Sequence, residues 1–229
     1  MASRFHRWLA LIIGAQLILW FASGALMSFL PIDEVRGDHL VDRSRITPVV
    51  AGNWVSPTAI LAQASAPVEA LSWRMLDGRA VAELTTAKGV HLFDASTGLV
   101  LAPVDAQQAS RIARAAWKGK DIPVSTASRV MAESTEYRGA LPAWRIAFAD
   151  ADETSVFVAA DTGQITAVRT GTWRLFDFFW GLHIMDWKNH ENFNSWWLLA
   201  FSIGALGMSI AGTILLLMRW PMRRKRVRT

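Results

Sequence analysis

The chain has 229 residues, 52% of them hydrophobic, with 24 Lys+Arg against 19 Asp+Glu and no cysteine. The missing cysteine excludes disulfides, iron–sulfur ligation and thiol catalysis. The positive balance comes largely from one C-terminal cluster: Arg219, Arg223, Arg224, Lys225, Arg226 and Arg228. It reads as a topology signal and a contact for membrane lipid headgroups, with no nucleic-acid partner.

Two apolar stretches lie near the ends, from about Trp8 to Leu30 and from about Trp196 to Met218. Each reaches the roughly 20 residues needed to cross a bilayer core. Arg4 and Arg7 precede the first, and the basic cluster follows the second. Asp33, Glu34 and Asp38 stand on the far side of the first. The positive-inside rule then puts both termini in the cytoplasm and residues 31–195 outside. The expected location is a bacterial cytoplasmic (inner) membrane with a periplasmic main segment. The first stretch shares Ala22, Ser23, Gly24 and Ala25 with signal peptides. Its apolar run continues to Leu30, so it reads as an uncleaved anchor.

The intervening segment reads as an α+β repeat. Ser56-Pro57 caps a helix over Thr58–Ala64. Strands follow at Ala70–Leu76, Ala80–Thr85 and Gly89–Phe93, the first two joined by the hairpin turn Asp77-Gly78. Thr97-Gly98 precedes a further strand at Leu99–Leu101. Asp105 then caps a helix over Ala106–Trp117, ended by Lys118-Gly119-Lys120 and Pro123. Strands are expected at Ser128–Tyr137, Ala143–Ala149, Ser155–Ala159 and Gln164–Val168. Each unit is thus a helix plus an antiparallel meander, with the helix covering the one apolar face of its sheet. The organisation expected is a first helix over 1–30, units over 31–104 and 105–170, an amphipathic juxtamembrane segment over 171–195, and a second span with its tail over 196–229.

Pro142-Ala143-Trp144-Arg145-Ile146, Ser155-Val156-Phe157-Val158 and Asp161-Thr162-Gly163-Gln164-Ile165 together resemble a PepSY domain. Gly89–Asp94 followed by Thr97-Gly98-Leu99-Val100 is similar. Phe5-His6-Arg7-Trp8-Leu9 leading to Ser23-Gly24, and Gly181-Leu182-His183 leading to Gly204 and Gly212, resemble the PepSY-associated transmembrane family. Members with more helices include iron-regulated membrane proteins and haem-containing ferric-siderophore reductases. The resemblance implies His6 and His183 as ligands of a b-type haem. Two spans are fewer than the four-helix form, so a haem is implied only if two copies associate.

Read from the residues alone, His6 is either an interfacial anchor beside Arg4 and Arg7 or an axial ligand. His183 lies in an aromatic segment, Trp173 to Trp187, whose Trp and Phe residues suit a membrane interface. His183, Asp186 and His190 are spaced so that a straight helix puts the histidines about 10 Å apart along its axis. They share an ion only if the helix breaks, and Lys188–Asn192 reads as a turn. No metal site is assigned, and His39 and His91 take no role. No catalytic constellation is present: nucleophile-plus-base spacing, phosphate-cradling loop and HExxH are all missing. A stripe of small residues on the second span, Ser202, Ala205, Ser209 and Gly212, suits close helix packing, against the first span, a second copy or a partner membrane protein.

Two functions follow. One is transmembrane electron transfer through b haem toward a periplasmic ferric complex. The other is a cofactor-free periplasmic binding or regulatory module, whose sheet edges accept a partner strand.

Overall fold

A computed structural model describes residues 2–43, 47–49 and 52–219, with the side chains of residues 2–6 outside that description. The element order is α1 (Ala2–Phe29), α2 (Ile32–Arg36), α3 (Pro57–Leu61), β1 (Val68–Leu76), β2 (Arg79–Thr86), β3 (Gly89–Asp94), α4 (Ala106–Ala116), β4 (Val124–Val130), β5 (Ala143–Phe148), β6 (Ser155–Ala159), β7 (Ile165–Arg169), α5 (Gly171–His183) and α6 (Trp196–Arg219). The chain divides into two compact units. One holds residues 1–29 and 176–229, the other residues 30–175.

In the first unit, α1 and α6 are apolar almost all round. Ile12, Ile18, Leu19 and Phe21 of α1 are exposed, as are Leu199, Ile203, Leu206, Ile210 and Leu217 of α6. A helix apolar on every side is stable only where hydrocarbon covers it. At 1.5 Å per residue the 28 residues of α1 reach about 42 Å and the 24 of α6 about 36 Å, enough to cross a bilayer. The two helices pack on each other along a narrow seam, where Ile13 lies against Gly204. A Cβ on Gly204 would sit 2.9 Å from Ile13 Cδ1. Of the small-residue stripe, Ala205 is buried while Ser202, Ser209 and Gly212 are exposed. The seam therefore runs along Leu198, Phe201, Gly204, Ala205 and Met208, the covered positions of α6, and takes only Ala205 from the stripe.

The second unit carries two antiparallel meanders, β1-β2-β3 and β4-β5-β6-β7. Asp77 and Gly78 both have positive φ (51° and 80°), the geometry of a tight hairpin turn. Ser56 and Asp105 cap their helices as the sequence predicts, accepting from the N–H of Ala59 and Gln108. Two turns share one geometry. Gly98 N–H donates to Asp94 O and Gly163 N–H to Ala159 O, both at 2.8 Å, and both glycines are left-handed.

Three expectations need correction. Leu99–Leu101 forms only a bridge, Phe93 to Val100, because the chain turns away at Pro103, which has no N–H for a ladder. The strand expected over Ser128–Tyr137 runs instead over Val124–Val130, paired along β5, and the polar run Ala132–Glu136 leaves the sheet. The sheets also have more than one covered face. β6 is buried along its whole length. Ile146, Val156 and Val168 face the core shared with α4, while Phe157 and Ala167 pack with Tyr137 on the other side. The shared core also takes Leu76, Val81 and Leu92 from the first meander, whose opposite face holds Ala82, Leu84 and Phe93 under Ile60 of α3. One core therefore joins both meanders. The helix α2, unmarked by apolar periodicity, is signalled by Asp33 and Glu34 in its first turn and Gly37 at its end.

Candidate functional site

His183 is the last residue of α5, and α1 of the same unit meets it there. The covered face of α1 runs through Ile13, Gln16, Trp20 and Ser23, at spacings of three and four residues that put them on one side of a helix. Ser23 is 3% exposed, and its Oγ lies 2.9 Å from His183 Nδ1. The same hydroxyl reaches back to Leu19 O at 2.7 Å and Trp20 O at 3.2 Å. Trp20 Nε1 donates to His183 O at 2.7 Å, satisfying a carbonyl that the end of α5 would leave without a partner. Gly24 completes the contact. A Cβ there would lie 3.5 Å from His183 Cε1, so a methyl just touches the ring and a longer side chain displaces it. Three α1 residues thus hold the ring edge, the carbonyl and the approach distance of one histidine.

Gln16 is 9% exposed, and its Nε2 has no hydrogen-bond partner among the described residues. A buried amide without a partner is costly in any apolar setting.

Beyond His183 the chain turns in a loop over residues 184–195, so the helix covers only the first part of the aromatic segment Trp173 to Trp187. Asp186 organises the loop. Its carboxylate accepts from the N–H of Asn192 (2.9 Å), Glu191 (3.0 Å), Asn189 (3.1 Å) and Lys188 (3.4 Å). Those bonds, Asn192 and Glu191 first, hold its pKa well below the usual carboxylate range. His190 folds back on α5. Its Nδ1 lies 2.6 Å from Asp177 Oδ2, its carbonyl accepts from Trp180 Nε1 at 3.1 Å, and its ring lies on Gly181. The helix breaks, as a shared ion would require, yet the three candidate groups diverge. His183 goes to Ser23, His190 to Asp177, and Asp186 to the loop backbone. Among the described residues no group of three or more His, Cys, Asp or Glu is placed to hold a metal ion.

His6 lies in α1, but its side chain is outside the described residues, as is the basic tail over residues 220–229. His6 and Ser23 are separated by 17 positions, about 25 Å along the helix axis. The two histidine positions therefore belong to opposite ends of α1.

Imidazole is a usual axial ligand of haem iron, and the surroundings of His183 fit that use. Its Nδ1 edge is engaged by Ser23, and among the described residues no hydrogen bond reaches Nε2. In the second unit, β1, α4 and the Gly163 turn border a groove of about 600 Å³. Trp73, Leu76, Ile112 and Ile165 line it together with the ion-paired Arg74 and Asp77.

The sequence marks His183 as a candidate, and its contacts with Ser23 and Trp20 come from the structure. Ser23 and Trp20 were readable as residues sharing a helix face with Ile13. Asp177 gave no signal, because only the folded loop brings His190 to it. No curated protein and no solved structure is significantly similar to the chain. The family described as the PepSY-associated TM region matches residues 3–229. With two membrane-length helices flanking antiparallel sheets, the chain belongs to the PepSY-associated transmembrane family and is a membrane protein.

Proposed function

We propose that the chain is a membrane-anchored PepSY protein that carries electrons across a bacterial cytoplasmic membrane through b-type haem, toward ferric complexes outside. In this reading both termini are cytoplasmic, and residues 31–104 and 105–170 are tandem PepSY-like units in the periplasm. Residues 171–195 lie along the outer membrane surface. Residues 1–30 and 196–229 carry the spans.

The observation that carries the proposal is the held histidine at the end of α5, with Nδ1 bonded to Ser23 and Nε2 without a hydrogen bond among the described residues. His6 supplies a second imidazole at the other end of α1. When bound, haem supplies one-electron transfer at its iron. The chain's own part is to present a neutral imidazole at each end of the span, keep it oriented, and surround it with apolar helix. Each copy offers one histidine per membrane side, so two copies provide paired ligands. Exposed Ser202, Ser209 and Gly212 on α6 support the close approach of a second copy.

The test is the reduced-minus-oxidised absorption spectrum of detergent-purified protein expressed with haem available. The expected result is a b-type signal with about one haem per chain, as bis-histidine ligation within a dimer requires. His183→Ala and His6→Ala each remove part of it. A flat spectrum from folded wild-type protein refutes the reading.

One observation favours a second reading, a cofactor-free binding module. The groove beside β1 lies against an edge strand, where a peptide strand can add. A flat haem spectrum together with reproducible capture of a periplasmic peptide, lost on Trp73→Ala, supports it.

A further inference from the structure

We propose that Ser23 is a positioning residue that fixes His183 as its Nδ1–H tautomer, so that Nε2 is the nitrogen offered to a ligand. A serine hydroxyl has one proton and two lone pairs, a neutral imidazole has one N–H, and a carbonyl oxygen only accepts. Ser23 Oγ lies 2.7 Å from Leu19 O, four residues earlier in the helix, where serine hydroxyls in apolar helices commonly donate. With the proton placed there, the 2.9 Å contact to His183 Nδ1 is a hydrogen bond only if Nδ1 carries hydrogen. If Ser23 donates to Nδ1 instead, Leu19 O loses that bond and the pair makes one hydrogen bond where it could make two. Ser23 is 3% exposed, so water does not readily replace the lost bond. Trp20 holds the His183 backbone carbonyl at 2.7 Å and so fixes where the residue sits against α1, while Ser23 holds the ring itself.

The consequence rests on the haem reading, but the tautomer does not. A ligand histidine that donates its other N–H is oriented and made more basic by the acceptor. Ser23 would do for His183 what a carboxylate or carbonyl does in other sites.

The test uses the full chain in detergent, labelled with ¹⁵N-histidine and free of haem, at mildly alkaline pH where imidazole is neutral. Proton–nitrogen correlation spectra separate a protonated ring nitrogen from an unprotonated one, and H183Q identifies the His183 signals. The expected result is Nδ1 protonated and Nε2 unprotonated in wild type, a shift toward the Nε2–H form in S23A, and the wild-type pattern in S23T, which keeps the hydroxyl. An Nε2–H tautomer in wild type overturns the proposal, as does an S23A spectrum indistinguishable from wild type. If S23A does not fold, the wild-type and S23T spectra decide. In haem-loaded protein, S23A raises the midpoint potential by weakening the ligand, while S23T does not. A wild-type chain that never takes up haem yet shows the Nδ1–H form leaves the inference standing and removes the electron-transfer reading.

Discussion

Gly181 sits in the last turn of α5, where alanine stabilises a helix relative to glycine by up to about 1 kcal/mol. Here the opposite is expected. A Cβ at this position would lie 2.5 Å from His190 Cδ2, 2.7 Å from its Nε2 and 2.9 Å from its Cγ. The ring has to move, and it is not free to do so. Its Nδ1 is bonded to Asp177 at 2.6 Å and its carbonyl to Trp180 at 3.1 Å. Its backbone has φ of 58°, a conformation that leaves little room for readjustment. Losing a hydrogen bond to a charged group costs about 1.5–3 kcal/mol. Set against the helix gain, Gly181→Ala destabilises by about 0.5–2 kcal/mol. That corresponds to a fall in melting temperature of roughly 1–8 °C for a chain of this length. The assay is a double-mutant cycle of Gly181→Ala and His190→Ala, read by thermal unfolding in detergent. With His190 already truncated, the added methyl meets no ring and the alanine regains its stabilising sign. The expected coupling is about 1.5–3 kcal/mol, the size of the lost hydrogen bond. Additive effects, with Gly181→Ala stabilising in both backgrounds, would refute the packing of His190 on α5.

Other predictions follow from the same geometry. Asp186→Asn removes the charge that gathers four loop N–H groups, so trypsin should cut at Lys188 faster than in wild type at neutral pH. Because the folded pKa of Asp186 is lowered from 3.8, its contribution to stability is fully present above about pH 4–5. It is lost as pH falls further, toward the folded value. Thermal unfolding against pH should therefore show wild type losing stability over Asp186→Asn only on the acid side of pH 4, with a constant gap above it. Gln16→Leu removes a buried amide nitrogen that has no partner, so the variant should melt higher by an amount equivalent to about 1–2 kcal/mol. A lower melting temperature would mean that the amide does have a partner in the membrane. Ile146→Ala empties a fully buried position between α4 and the second sheet and should cost about 2–5 kcal/mol in chemical denaturation. Ile203→Ala on the exposed face of α6 should leave the same transition nearly unmoved.

The sequence was most legible where a single physical requirement acts over a short stretch. The bilayer-length runs became α1 and α6 because nothing else stabilises so many consecutive apolar residues. Ser56, Asp105 and Asp77-Gly78 marked caps and a turn because each serves backbone groups within a few positions. Legibility fell where partners are distant. That β6 is covered on both faces could not be read from Ser155–Ala159, since its covers are α4 on one side and Tyr137 on the other. Tyr137 itself was read as a strand end. It is instead a buried ring whose hydroxyl donates to Ala140 O at 2.7 Å and lies 3.0 Å from Thr166 Oγ1. At the candidate site the histidine was visible and its surroundings were not. His183 stands out as a titratable group in an aromatic run, whereas Ser23 is one small residue among several in a membrane helix. Its importance depends on a contact spanning 160 positions.

The core shared by the two meanders also bears on how the chain comes into being. When synthesis has reached residue 104, the first meander is complete, but Leu76, Val81 and Leu92 still lack the residues that cover them. Those covers arrive with Ala109, Ala113, Ile146 and Val156, up to about 50 residues later. The first meander must wait, with part of its apolar face bare, while the rest of the chain emerges. A nascent chain stalled between the two meanders is therefore sticky, and a cut between them leaves apolar core surface bare on both pieces.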